Sequence, residues 1–289
     1  MKKQGNTIPP QPDESLWTFV ADLQKPLHAD ILWRRKAPLG NEADLSAGVR
    51  MDARFPDPDG VLETACHDFH NFLGKAGIAV GGNMPDRNDR YEIVTGPTKT
   101  GIFDEYRIRI SKERAEVLAG DTEGIRRGLI YLEDEILRSG GPFLPIGEIH
   151  LKPVIRTRIS RCFYGPINRP PKCKDELTDD VDYYPDEYLN RLAHDGVNVL
   201  WLTIHFFQTV PSEIIPEYGR NAAPRLEKLR RTVKKCARYG IRIYPFCIEP
   251  AGFSWPHPEV AAAAAAHPEL KGHKNSFCTS TEKGRAYLE

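Results

Sequence analysis

Residues 154–165 of this 289-residue chain, VIRTRISRCFYG, open an alternation of short apolar runs and amphipathic stretches that is still running at Glu289. Residues 156–163 read as a first strand, 185–194 (PDEYLNRLAH) as a first helix and 197–206 (VNVLWLTIHF) as a second strand. A second helix over 224–239 and a third strand over 241–248 (IRIYPFCI) follow. Strands joined through helices return parallel to one another, because a right-twisted strand feeding a helix packs back onto its sheet by a right-handed crossover. The second strand is apolar almost throughout, as befits a strand covered on both faces. Six consecutive alanines within 260–267, and the stretch 281–289, read as further helical pieces. The alternation predicts a β/α barrel that begins here. A complete eightfold barrel takes roughly 250 residues, so residues 151–289 are expected to hold its first three or so units.

A different pattern precedes it. Residues 1–30 carry Pro9, Pro10, Pro12 and Pro26 among polar residues and read as a leader draped over the next domain, with little chemistry expected. Over residues 59–76, Val61, Leu62, Ala65, Cys66, Phe69, Phe72 and Leu73 recur at helical spacing up to the stop at Gly77. Residues 91–94 and 105–110 (EYRIRI) alternate as half-buried strands do, and Ser111-Lys112-Glu113 turns the latter into 114–119 as a β-hairpin. Asp121 is placed to cap a helix with Ile125, Leu129, Leu132 and Ile136 on one face, ending at Gly140-Gly141. Residues 142–153 (PFLPIGEIHLKP) read as a proline-punctuated connector. The expected organisation is a leader (1–30), an α+β domain of a small sheet with helices (31–150), and a partial TIM-type β/α barrel (151–289).

Forty basic and forty acidic residues cancel, which leaves no electrostatic footprint for nucleic acid or an anionic membrane. No run approaches the roughly 18 apolar residues of a membrane span, and the first twenty residues lack an apolar signal core, so a cytoplasmic location is expected. The six cysteines, at 66, 162, 173, 236, 247 and 278, show no C-x-x-C spacing and read as reduced thiols. Cys66, His67 and His70 lie close together, but Cys66 falls in the apolar stripe and no fourth ligand is indicated, so no metal is expected. Phosphate-binding glycine loops and a nucleophile elbow are absent, and no cofactor is expected.

The hairpin-plus-helix string at 105–137, EYRIRISKERAEVLAGDTEGIRRGLIYLEDEIL, resembles the small α+β domain that precedes the catalytic barrel in β-N-acetylhexosaminidases and α-glucuronidases. The onset of the alternation is similar to the same glycoside hydrolase superfamily in Arg156 early in strand one, Phe163-Tyr164-Gly165-Pro166, Asn198-Val199-Leu200, and Tyr244-Pro245 with Pro250-Ala251-Gly252. The resemblance covers roughly residues 85–289. It implies a carbohydrate partner and hydrolysis of O-glycosyl bonds by the full-length protein. It departs at Thr203 and Phe206 or Phe207, where hexosaminidases carry a histidine and an aspartate, and at Phe253, where they carry a histidine after Pro-Gly. The catalytic Asp-Glu pair of those enzymes follows strand four, so the 289-residue chain by itself is expected to be an inactive fragment.

In such barrels chemistry gathers at the carboxyl ends of the strands. There the sequence delivers Tyr164 and Asn168, then His205, Phe207 and Gln208, then Glu249, Phe253, Trp255 and His257. Sugar sites combine flat apolar faces with a few polar groups, which makes Arg156, Tyr164, His205, Gln208, Glu249 and Trp255 the candidate substrate-binding residues. Each has a plainer alternative: Arg156 in an ion pair, His205 as a hydrogen-bonded structural residue, Phe206, Phe207 and Phe253 as packing. Either Arg158 or Arg161, on the same strand, can replace Arg156. Glu249 is a weak candidate for a catalytic acid, beside sugar-binding and structural readings. Two other classes stay open: a non-catalytic carbohydrate-binding or scaffold protein on the same fold, and an unrelated β/α enzyme for a phosphorylated substrate, which would need a phosphate site not found here.

Overall fold

A computed structural model describes residues 22–81, 90–161, 175–247, 252–255 and 257–289. The first half is a five-stranded mixed sheet with two helices on one face. Strands β2 (Val49–Ala53), β3 (Tyr91–Pro97), β4 (Tyr106–Ile110), β5 (Arg114–Ala119) and β7 (Gly147–Leu151) lie in the order β2-β3-β5-β4-β7. The pairs β2/β3 and β3/β5 are parallel, and β4 runs antiparallel to both β5 and β7. A separate two-stranded ribbon joins β1 (Glu42–Asp44) to β6 (Phe143–Pro145).

The expected alternation is realised. Tyr106, Ile108 and Ile110 turn inward while Arg107 and Arg109 face out, and Ala115, Val117 and Ala119 follow suit on the hairpin partner. Their inward side chains meet helices α1 (Glu63–Lys75) and α2 (Thr122–Ser139) in one core containing Phe69, Phe72, Leu73, Ile125, Leu129, Leu132 and Ile136. Each such fully buried aliphatic side chain contributes about 1.5–3 kcal/mol. The Asp121 carboxylate caps α2 by accepting from the Gly124 N–H at 2.8 Å, and Gly140 closes the helix at φ 72°. Gly128 lets α2 lie directly on the sheet, since a Cβ there would overlap the Val117 side chain.

One reading of the sequence needs correction. The segment 142–153 is not a bare connector, because β6 and β7 lie within it and β7 supplies the edge strand of the first sheet. Its mostly exposed side chains leave an edge strand without the inward alternation that marks a strand in sequence. Just past residue 30, the Ile31 N–H donates to Lys75 O, the Trp33 indole donates to Ala76 O at 2.7 Å, and Ile31 and Trp33 pack on the core.

The second half holds three parallel strands, β8 (Ile159–Arg161), β9 (Val199–Thr203) and β10 (Arg242–Phe246), with β9 central. Helices α3 (Asp186–His194) and α5 (Ala222–Ala237) separate them along the chain, as the alternation predicts. Leu200, Leu202 and Ile243 face the helices and pack with Tyr188, Leu189 and Leu192. The opposite face bears Ile159, Tyr244 and Phe246, which are 53%, 42% and 39% exposed. Beyond the strand ends, α4 (Phe206–Thr209), α6 (Pro258–Ala266) and α7 (Glu282–Leu288) enclose a smaller core of Phe207, Ile215, Tyr218, Phe253, Val260, Leu270 and Phe277. No helix among the described residues is long and apolar enough to cross a membrane.

The halves meet at the amino end of the second sheet. Arg127 of α2 donates to Ala193 O and, at 3.3 Å, to Val197 O. Its neighbour Arg126 donates to Val61 O at 2.6 Å and to Arg238 O at 2.9 Å, and Arg158 pairs with Asp104. The carboxyl ends of the strands are therefore left on the far side from this interface.

Candidate functional site

Residues that follow β9 build most of the described site. His205, two positions past the strand, is 2% exposed. Its ring stacks on Phe207, with centroids 5.2 Å apart and planes at 25°, and meets the Trp255 ring at 4.3 Å. Neither imidazole nitrogen has a hydrogen-bond partner among the described residues, and the same holds for the indole nitrogens of Trp201 and Trp255. Buried donors without partners are uncommon because each forfeits its hydration. Those of His205 and Trp255 lie together where aromatic faces are also presented.

A polar network backs this cluster. The Gln208 amide donates to Asp175 Oδ2 at 3.1 Å and stands 3.5 Å from His257 Nε2. Arg225, 4% exposed, reaches Asp175 Oδ2 at 3.4 Å and Glu259 Oε1 at 3.3 Å. Gln208 is thus a brace between two segments and a substrate group at most through its remaining oxygen. Nearer the centre of the sheet, the Arg161 guanidinium lies 5.1 Å from the Trp201 ring centroid, and Phe246 meets the same ring edge-on at 4.6 Å.

The sequence candidates divide accordingly. His205, Gln208 and Trp255 come together. Arg156 lies exposed, three residues before β8, at the amino end of the sheet, where its carbonyl accepts from Asn198 Nδ2 at 2.8 Å. The arginine on the site's face is Arg161, while Arg158 is spent on the domain interface. Phe207 and Phe253 are buried packing residues, and Phe206 is 47% exposed. Tyr164, Asn168 and Glu249 lie outside the described residues.

Sequence reasoning missed Asp175 and Glu176, which sit in no motif. Burial pushes the Glu176 carboxyl up to about 7, although it accepts from the Tyr184 hydroxyl at 2.7 Å. A carboxyl that keeps its proton near neutral pH is suited to proton transfer.

Burial also lowers His205, from its ordinary 6.5 to about 4, with a further push from His257 and an opposing pull from Asp175. The imidazole is therefore neutral at pH 7. Because the unfolded chain takes up this proton at a higher pH than the folded one, His205 makes stability fall as pH drops from about 6.5 to about 4. His205→Phe keeps the stacking and removes the titration. A plot of Tm against pH is expected to be flatter for this variant than for the parent across that window, and parallel slopes would refute the assignment.

A parallel β/α sheet with an aromatic, polar-lined carboxyl end is joined here to an α+β domain, and solved structures similar to this fold include glycoside hydrolases. No protein-family profile matches the chain, and no curated protein does. Among solved structures it is similar to a β-N-acetylhexosaminidase from Bacteroides fragilis, with TM-score 0.53 and 19% identity over 92% of this chain and 53% of that one. It is also similar to a GH138 enzyme targeting pectin rhamnogalacturonan II, with TM-score 0.54 and 15% identity over 77% of this chain and 37% of that one. A third is the Streptomyces plicatus β-hexosaminidase D313A mutant in complex with GlcNAc, with TM-score 0.52 and 14% identity over 92% and 57%. This chain spans about a third to just over half of the length of these proteins.

Proposed function

We propose that the carboxyl end of the second sheet is a saccharide site, and that the chain supplies the α+β domain and first β/α units of a glycoside hydrolase that cleaves O-glycosyl bonds. The observation that carries this reading is the pair His205 and Trp255, whose rings meet at 4.3 Å and whose buried ring nitrogens have no partner among the described residues. Sugar hydroxyls satisfy such donors while C–H faces cover the rings. The exposed face of Ile159, Tyr244 and Phe246 supports further strands closing a TIM-type barrel over it. In this reading residues 31–150 form the first domain and 151–289 the opening of the barrel. Arg161 replaces Arg156 as the guanidinium that meets the sugar.

A second reading has its own support. Asp175 and Glu259 are both engaged by Arg225, which ties up these carboxylates and favours a saccharide-binding protein without turnover. Saturation-transfer NMR of the 289-residue chain with N-acetylglucosamine and with uronic-acid oligosaccharides tests the shared claim. Trp255→Ala is expected to weaken binding about tenfold, the equivalent of about 1.4 kcal/mol. No transfer from any saccharide, or transfer indifferent to Trp255→Ala, would sink both readings. Release of aryl alcohol from aryl glycosides separates enzyme from binder.

A further inference from the structure

At the opposite end of the second sheet, four side chains from four separate segments converge between the two halves of the molecule. His28 comes from the chain ahead of β1, Asp68 from α1, Glu133 from α2 and His194 from the last position of α3. His28 Nε2 lies 3.3 Å from Asp68 Oδ1 and 3.4 Å from Glu133 Oε2. His194 Nε2 lies 2.7 Å from Asp68 Oδ2 and 3.8 Å from the same Glu133 oxygen. One ligand atom from each residue can be chosen so that all lie within 4.8 Å of one another. We propose that His28, Asp68, Glu133 and His194 form a structural zinc site that ties the two halves together.

Geometry comes first. Bonds of about 2.0–2.1 Å from zinc to nitrogen and oxygen set tetrahedral ligand atoms about 3.3–3.4 Å apart, and the histidine–carboxylate separations, from 2.7 to 3.8 Å, bracket that value. Two imidazoles with two carboxylates make a four-ligand set that closes a tetrahedral zinc site, with no position left for water. The side chains are held in place: the His28 ring meets Phe72 at 5.3 Å and His194 at 5.5 Å, and the Asn190 amide donates to Asp68 Oδ1 at 2.7 Å. That amide is the kind of outer partner that orients a metal-binding carboxylate.

The second observation is Glu133. Its side chain is 3% exposed, and Oε2, aimed at both histidines, has no hydrogen-bond partner among the described residues. A cation seated among the four side chains gives the buried Glu133 oxygen the partner it otherwise lacks. An entry path exists, since His28, Asp68 and Asn190 line a cleft of about 1030 Å³ open to solvent. The exposed His67, hydrogen-bonded to Asn71 at 3.2 Å, stays out of the cluster despite its place beside Asp68.

The 289-residue chain, purified without a polyhistidine tag, stripped with a chelator and dialysed against micromolar Zn²⁺, decides the matter by its metal content and Tm. One zinc per chain is expected, with a Tm several degrees above that of the stripped protein. Co²⁺ is expected to give the intense visible bands of tetrahedral coordination. Glu133→Gln, close to isosteric, is expected to fold by far-UV circular dichroism, to match or exceed the stripped parent in Tm, and to show no response to zinc. His194→Ala is expected to lose the response too. Zinc well below one per chain with an unchanged Tm, weak octahedral-type Co²⁺ bands, or undiminished zinc binding by Glu133→Gln would each overturn the proposal and leave a hydrogen-bonded cluster with a protonated Glu133.

Discussion

Gly240→Ala is expected to destabilise the chain by about 2–5 kcal/mol, whereas Gly60→Ala loses about 1–2 kcal/mol, and urea unfolding of the pair separates two causes that usually come mixed. Both glycines have positive φ, +71° and +65°, so both substitutions place a β-carbon in the left-handed region. Around Gly60 there is nothing within 4 Å of the added atom. At Gly240 the added atom would overlap the Glu123 carboxylate and lie 2.8 Å from Arg126 Nε. That carboxylate is buried and already gripped by Arg126 and Arg127, so it has nowhere to retreat. The difference between the variants is the overlap contribution. Equal losses would mean that the turn before β10 does not press on α2.

The same contact explains which parts of the fold were legible in sequence. Asp121, the spacing of Ile125, Leu129, Leu132 and Ile136, and Gly140 identified α2 because capping, periodicity and termination are local properties. The EYRIRI hairpin was readable for the same reason. What α2 packs against is a tertiary matter, and nothing in TEGIRRG says that Arg126 and Arg127 reach carbonyls at positions 238 and 193. β7 escaped notice because an edge strand with exposed side chains and prolines on either side resembles a linker. His28 was passed over because it stands in a proline-bearing segment, and its partners are drawn from three helices.

Of the candidate site, the residues just past β9 were legible because a strand end fixes where the next side chains go. His205 and Trp255 met on that logic, although fifty positions separate them. Arg156 went astray through register. The strand begins at Ile159, so the arginine expected inside it lies before it, and Arg161 takes the face toward Trp201. Asp175, Arg225 and Glu259 were invisible as a group, since each reads as an ordinary surface charge until Gln208 and His257 are placed between them.

Arg127→Met is expected to cost about 3–5 kcal/mol, because removing one partner from a buried charge network strands the others. Arg127 is 9% exposed and lies 2.7 Å from Glu123 Oε1 and 3.6 Å from Asp104 Oδ1, while two of its donors serve carbonyls of the second half. Glu123 retains Arg126 and Asp104 retains Arg158, which sets the loss nearer the lower end of that range. Adding Glu123→Gln removes a charge that the first change leaves poorly matched, so the double variant is expected to lose less than the sum, by about 1 kcal/mol or more. In a background carrying Trp17→Phe and Trp33→Phe, Trp201 and Trp255 report on the second half by fluorescence, and far-UV circular dichroism reports on both. The core built on Phe69, Phe72 and Leu132 is untouched by the substitution. The two probes are therefore expected to coincide in the parent and to separate in Arg127→Met, with the fluorescence transition moving to lower urea. Coincident transitions with a loss under about 1 kcal/mol would mean that solvent already screens the network and that the halves are held chiefly by other contacts.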